Sequence, residues 1–278
     1  MKEGQPKPNK EILFVGHLED VDDLKSYGRD GPLEKSEKNR EDLNKIVDAI
    51  ITKIKESSKE ALILVASNKI RAQETAHLVG EEIKKRLGEI KVRYAAEENL
   101  NSNDQGEFNL PEDYTPGLFF EGLSIASKIF LKESLENNNL HYKFGDPLKQ
   151  AGDSYKYPEL ANYFKASGET YAEALIRIFS SVVEMSQKVD KLDSSVEVIL
   201  VSHGFNFHIL RGLTVLAEQI KNGSIDMNEG EIAGKIWEIY KQDTTDFKPL
   251  AYVPLDITNL GDEQLISMLS REIERLKK

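Results

Sequence analysis

Two of the five histidines in this 278-residue chain stand at the ends of short apolar runs, and an arginine stands just beyond a third run. Residues 11–15 (EILFV) lead to Gly16 and His17, and residues 196–201 (VEVILV) lead to Ser202 and His203. Residues 61–66 (ALILVA) lead to Ser67, with Arg71 one helical turn further on. A neutral imidazole at a strand end can attack phosphorus and hold the phosphoryl group covalently, dividing one hard displacement into two. The charge spread over the equatorial oxygens then needs fixed cationic donors, which the planar fork of an arginine or a protonated imidazole supplies. An acid must also protonate the leaving oxygen, and the resulting carboxylate can activate water for the second step.

The elements that would position these groups are legible as periodicities. Each of the three apolar runs is short and bounded by polar residues, the pattern of a strand buried on both faces. A helix is predicted over 37–57, with Leu43, Ile46, Val47, Ile50, Ile51 and Ile54 at helical spacing. Another is predicted over 70–87, followed by an alternating strand at 90–95 (IKVRYA) and a loop over 98–117. Residues 118–190 read as mostly helical, with connections around residues 137–139 and Gly152. Within them Thr170 and Glu173 have capping-box spacing, which should start a helix running to about Val189. A helix is expected after Gly204, a late hairpin from 232–240 and 249–256, and a charged helix over 262–277.

Strands alternating with helices predict an α/β fold, a three-layer α/β/α sandwich with a mostly parallel central sheet. Ligands collect at the carboxyl ends of such strands, where His17, His203 and Arg71 are expected to converge. The expected organisation is a disordered leader at 1–10, one α/β domain over 11–260, and a C-terminal helix at 261–278. A helical insertion at 108–167 is expected to cover the site.

Composition narrows the function classes. With 39% hydrophobic and 31% charged residues the chain reads as a soluble globular protein. A net charge of −11 opposes general nucleic-acid binding, and no run approaches the length of a membrane span. The chain has no cysteine, which removes disulfides, thiolate metal sites and thiol nucleophiles. A polar start without an apolar leader run makes the cytoplasm the expected location. The charged terminal helices leave a homodimer open.

Three segments, in the right order, resemble the histidine phosphatase (phosphoglycerate mutase-like) superfamily. Residues 13–19 (LFVGHLE) sit where that family has a strand followed by Arg-His-Gly. Residues 67–76 (SNKIRAQETA) are similar to its Ser-Pro-x-x-Arg-Ala-x-x-Thr-Ala, with Asn68 in place of proline. Residues 198–204 (VILVSHG) are similar to its last strand and His-Gly pair. Gly168, Glu169 and Thr170, with Arg177 further along the same helix, resemble the Gly-Glu-Ser…Arg segment before that strand, and residues 30–33 (DGPL) its Asp-x-x-Leu. The resemblance covers roughly residues 11–213. It implies that His17 is the nucleophile, that Arg71 and His203 clamp the phosphoryl group, and that neither a metal nor another cofactor takes part. The implied partner is a small phosphorylated substrate or ligand.

The chain departs from the family where charge matters most. Gly16 replaces the arginine beside the nucleophile, Leu18 replaces the following glycine, and Asp23 falls near a phosphate-binding asparagine. Ser102 takes the place of the usual acid in residues 100–106; Asp104 or Glu107 could substitute from the same loop, and Glu107 is assigned that role. Arg29 or Arg40 is expected to return the missing positive charge, with Arg29 assigned to phosphate. Asn206, just past the His-Gly pair, is expected to line the pocket, and Ser67 to cap the helix that carries Arg71. His77, His141 and His208 are read as structural. These departures leave two function classes: a phosphatase working through phosphohistidine, and a non-catalytic phospho-ligand binder on the same fold. An oligomeric scaffold is a third reading, resting on the charged helices alone.

Overall fold

Alternation within the apolar runs decides the layers. The computed structural model describes residues 12–16, 36–101, 107–108, 129–137, 139–144, 164–166, 168–189, 191–224, 232–242, 255–256 and 263–278. Along the chain these form β1 (Ile12–Gly16), α1 (Glu37–Glu56), β2 (Ala61–Ala66), α2 (Ile70–Leu87), β3 (Lys91–Ala96) and a 3₁₀ turn at Glu98–Leu100. There follow β4 (Glu107–Phe108), a π-helical turn at Lys132–Glu136, β5 (Phe164–Ala166), α3 (Tyr171–Val189) and β6 (Val196–Ser202). The chain ends with α4 (Gly204–Lys221), α5 (Ile232–Gln242), β7 (Leu255–Asp256) and α6 (Glu263–Leu276).

The main sheet has the order β3-β2-β6-β1-β7. β1, β2, β3 and β6 run parallel, and β7 lies antiparallel on β1. Leu13, Val15, Leu62, Leu64, Ile199 and Val201 point to one face, where they meet Ile46, Ile50, Val79 and Ile83 of α1 and α2. Phe14, Val198 and Leu200 point to the other face, against Leu175, Phe179, Leu210 and Leu213 of α3 and α4. Each of these apolar side chains contributes about 1.5–3 kcal/mol by leaving water. Right-handed crossovers explain the sorting: a chain stepping one way along a parallel sheet lays its helices on one face, and stepping back lays them on the other. From β1 through β2 to β3 the steps go outward, and from β3 to β6 the chain returns. The three-layer α/β/α sandwich is therefore built as the alternation predicts.

Local chemistry starts the helices. Ser36 Oγ accepts from the N–H of Asn39 at 3.1 Å to cap α1. The capping box of α3 forms in full: Thr170 N–H donates to Glu173 Oε2 at 2.6 Å, and Glu173 N–H donates to Thr170 Oγ1 at 3.1 Å.

Two expectations are corrected. The late hairpin does not form: residues 232–242 are helical, because Ile232, Ala233, Ile236 and Ile239 recur at helical spacing and pack into the α3–α4 core. Residues 255–256 pair instead with β1. Within 118–190, residues 129–136 and Tyr171–Val189 are helical as expected, but Phe164–Ala166 forms a strand with Glu107–Phe108 and Lys143 makes a bridge with Thr170. The leader at 1–10 lies outside the described residues. Among the described residues no helix is long and apolar enough to cross a membrane.

Two glycines test the α4–α5 contact. A Cβ on Gly212 would lie 2.9 Å from Ile236 Cγ2 and 3.4 Å from its Cα, whereas one on Gly234 meets nothing within 4 Å. Gly212→Ala should cost about 1–3 kcal/mol through overpacking. Gly234→Ala, on an exposed helical surface, should instead stabilise by about 0.5–1 kcal/mol. Urea unfolding midpoints of the two variants should move in opposite directions.

Candidate functional site

Register brings the strand ends together. Gly16 of β1 is the Cα partner of Ser202 of β6, and Ala66 of β2 is the partner of Val201. Ser67 and His203 therefore leave the sheet as neighbours, and Ser67 N–H donates to Val201 O at 3.0 Å. His203 is the N-cap residue of α4, with extended backbone (φ −116°, ψ 157°), and is only 3% exposed. Its Nε2 lies 2.8 Å from Ser67 Oγ, which is fully buried. Ser67 Oγ also accepts a long bond (3.4 Å) from Lys69 N–H. A hydroxyl can still give its proton to Nε2 or accept one from it, so the pair fixes the ring in either tautomer.

This placement corrects the expected role of Ser67. The N-cap of α2 is Lys69, which makes no side-chain capping bond, and Ser67 spends its hydroxyl on His203. Arg71 lies half-buried in the first turn of α2, where its carbonyl accepts from Thr75 Oγ1 at 2.7 Å. Arg40 is exposed in the first turn of α1.

A third strand end is held by the turn at Glu98–Leu100. β3 and β2 stay paired to the end, Glu97 N–H donating to Ala66 O at 2.7 Å. Beyond it, three successive carbonyls are turned toward donors from other elements. Asn206 Nδ2 donates to Leu100 O at 2.7 Å and to Asn101 O at 2.9 Å, and the Ser202 hydroxyl donates to Leu100 O. Arg177 Nη1 donates to Asn99 O and Asn101 O, both at 2.7 Å. The Asn101 side chain in turn accepts from Asn68 N–H at 2.9 Å, tying the turn to the loop before Arg71. Left unmatched in a buried position, each carbonyl would cost about 1–3 kcal/mol.

Asn206, expected to line the pocket, is fully buried, and its amide nitrogen is directed at these carbonyls and at Ser202 Oγ, 2.8 Å away. That nitrogen holds the turn. Glu107 stands in β4, where it is the register partner of Ala166. His17, Arg29, Asp23, Ser102 and Asp104 lie outside the described residues. Sequence reasoning singled out Arg177 but not its hold on the turn, and it missed the Asn101–Asn68 link and the Ser67–His203 contact. The last had a signal, since both residues directly follow apolar runs, but only the strand order makes those runs neighbours. Among the described residues no group of three or more His, Asp or Glu side chains is arranged to hold a metal ion.

The fold and site thus define a three-layer α/β/α protein with a buried, oriented histidine at the carboxyl edge of its parallel sheet. No family model and no curated protein sequence matches the chain. Among solved structures, that of the open reading frame Rv3214 from Mycobacterium tuberculosis is similar at 19% identity, over 74% of this chain and 80% of that one, with a TM-score of 0.37.

Replacing Ser67 by alanine tests the orientation of His203. A buried ring nitrogen deprived of its partner should lower stability by about 1–3 kcal/mol. In ¹⁵N spectra, the His203 ring signals should shift or broaden as Nε2 loses its partner and the ring its fixed orientation. Unchanged ring signals with unchanged stability would show that Ser67 does not set the ring.

Proposed function

We propose that this protein is a divergent histidine phosphatase, hydrolysing a small phosphomonoester in the cytoplasm through a phosphohistidine at His17. The observation that carries the reading is the pairing of Gly16 with Ser202, because the residue next in sequence to each is a histidine. His203 is buried, and the loop with Ser67 leads within one turn to Arg71. Two imidazoles and a guanidinium at adjoining strand ends match the needs of a transferring phosphoryl group.

In this reading a His17 ring nitrogen attacks phosphorus and forms a P–N bond as the bond to the leaving oxygen breaks. Glu107 gives its proton to that oxygen, and the alcohol departs. The Glu107 carboxylate then takes a proton from water, whose oxygen attacks phosphorus. The P–N bond breaks, inorganic phosphate leaves, and His17 and Glu107 are restored. Throughout, Arg71 and protonated His203 hold the equatorial oxygens, and Arg29 adds charge beside Gly16. No step needs a metal.

A second reading, a protein that binds a phosphorylated ligand without turning it over, is favoured by Gly16 itself. At the buried end of β1 it supplies no side chain where the resembling family has arginine.

Incubation with an activated phosphomonoester and an acid-free quench should reveal an acid-labile, base-stable adduct mapping to His17. Turnover that persists in His17→Ala without any adduct would remove the nucleophile assignment. Binding without turnover would select the second reading. Arg71→Ala should weaken vanadate binding about ten- to a hundredfold, the equivalent of roughly 1.5–3 kcal/mol for a charge-assisted bond. Arg177→Ala should change that affinity far less, and equal small effects in calorimetry would place Arg71 outside the site.

A further inference from the structure

We propose that Arg177 is a positioning residue that staples the two stems of the 102–167 excursion and so sets where β4, with Glu107, stands relative to the carboxyl edge of the sheet. The catalytic half of this proposal rests on the phosphatase reading above; the structural half does not.

A single guanidinium reaches both stems. At the departing stem, Nη1 donates to Asn99 O and Asn101 O, both at 2.7 Å. At the returning stem, Nη2 lies 2.9 Å from Glu169 Oε1 and Nε lies 3.4 Å from Oε2. The pair is largely shielded, with side-chain exposures of 16% for Arg177 and 14% for Glu169. Shielding of this kind strengthens a charge-assisted bond that would be weak on an open surface.

Independent ties lie within the excursion and on its returning stem. Glu107 pairs with Ala166 and Phe108 with Phe164. Phe144 N–H donates to Glu169 O at 3.3 Å, and Gly168 N–H donates to Phe144 O at 3.1 Å. In sequence β4 follows Asn101 and β5 precedes Glu169, so the ribbon pairs the same two chain directions that the staple joins.

The same atoms explain why other residues would not serve. The carboxylate of Glu169 and the carbonyls of Asn99 and Asn101 are all acceptors, so only a donor with separated N–H groups can hold them together. A lysine ammonium is a point charge and cannot span both stems in a fixed geometry. Arg177 is also dispensable to the core, which α3 builds from Leu175, Ile178, Phe179 and Val182. Its loss should therefore be felt at the stems rather than throughout the fold.

The full chain with Arg177→Ala or Arg177→Lys would be compared with wild type in two measurements. In amide hydrogen exchange, amides of β4 and β5 should exchange at least tenfold faster in both variants, with α1 and β2 unchanged. Unchanged exchange in β4 and β5 would overturn the staple, as would free exchange there in the wild type. If Arg177→Ala does not fold, Arg177→Lys decides, since it keeps the charge and loses the fork. The second measurement compares an alkyl phosphomonoester with p-nitrophenyl phosphate. A nitrophenolate leaves without a proton, so a displaced acid should lower kcat/KM for the alkyl ester at least tenfold more than for the aryl ester. An equal fall for both would overturn the positioning of the acid. A wild type that hydrolyses neither ester defeats the phosphatase reading and the catalytic half of this proposal, while exchange alone still decides the staple.

Discussion

β6 lies between β1 and β2, and its hydrogen bonds to both decide what the carboxyl edge of the sheet can do. Parallel pairing allows no slip without cost here, because both faces of the strand are buried and a shift by one residue would exchange them. Val198 and Leu200 serve one core, Ile199 and Val201 the other. With the register locked by packing, Ser202 falls beside Gly16, and Ser67 falls beside His203. The site geometry is thus a by-product of apolar burial in the middle of the sheet.

Polar groups then fix what the strands deliver. Four segments contribute donors to one short turn: the β2–α2 loop, α3, the end of β6 and the first turn of α4. Buried networks of this kind are costly when half-satisfied and rigid when complete. The turn at residues 98–101 therefore has little freedom, although its own sequence (ENLN) carries no rigid residue. Rigidity arrives from Arg177, Asn206 and Ser202, all distant in sequence.

What the sequence disclosed follows from that division. Residues 61–66 and 70–87 are continuous in sequence and obey one period, so the strand and helix there match their expected bounds. The capping box of Thr170 and Glu173 is a contact across one helical turn, and it forms as expected. Residues 232–240 misled because branched and aromatic residues suit strands, while the neighbouring α4 surface rewards a helix. Ser67 misled for another reason. It was read by the local role its type commonly plays, but it found its partner across the sheet edge, in a strand neighbour that no local pattern encodes. The ends of β1 and β6 were legible because apolar runs are local features, and their meeting at one sheet edge follows from a general rule for parallel sheets.

The strand order also has a history in time. β1 is made early, yet both of its neighbours, β6 and β7, lie far downstream in the chain. Its apolar residues Leu13, Phe14 and Val15 have no sheet to join until Ser202 has left the ribosome. At ordinary rates of synthesis that interval is on the order of ten seconds or more. Through it, β2 and β3 can pair with each other and with α2, while β1 waits as an unpaired apolar segment of the kind that invites misassociation. The carboxyl edge, where β1 and β6 end side by side, is therefore completed only after β6 has been made. In a chain of this topology the first strand is exposed to misassociation for the whole of that interval.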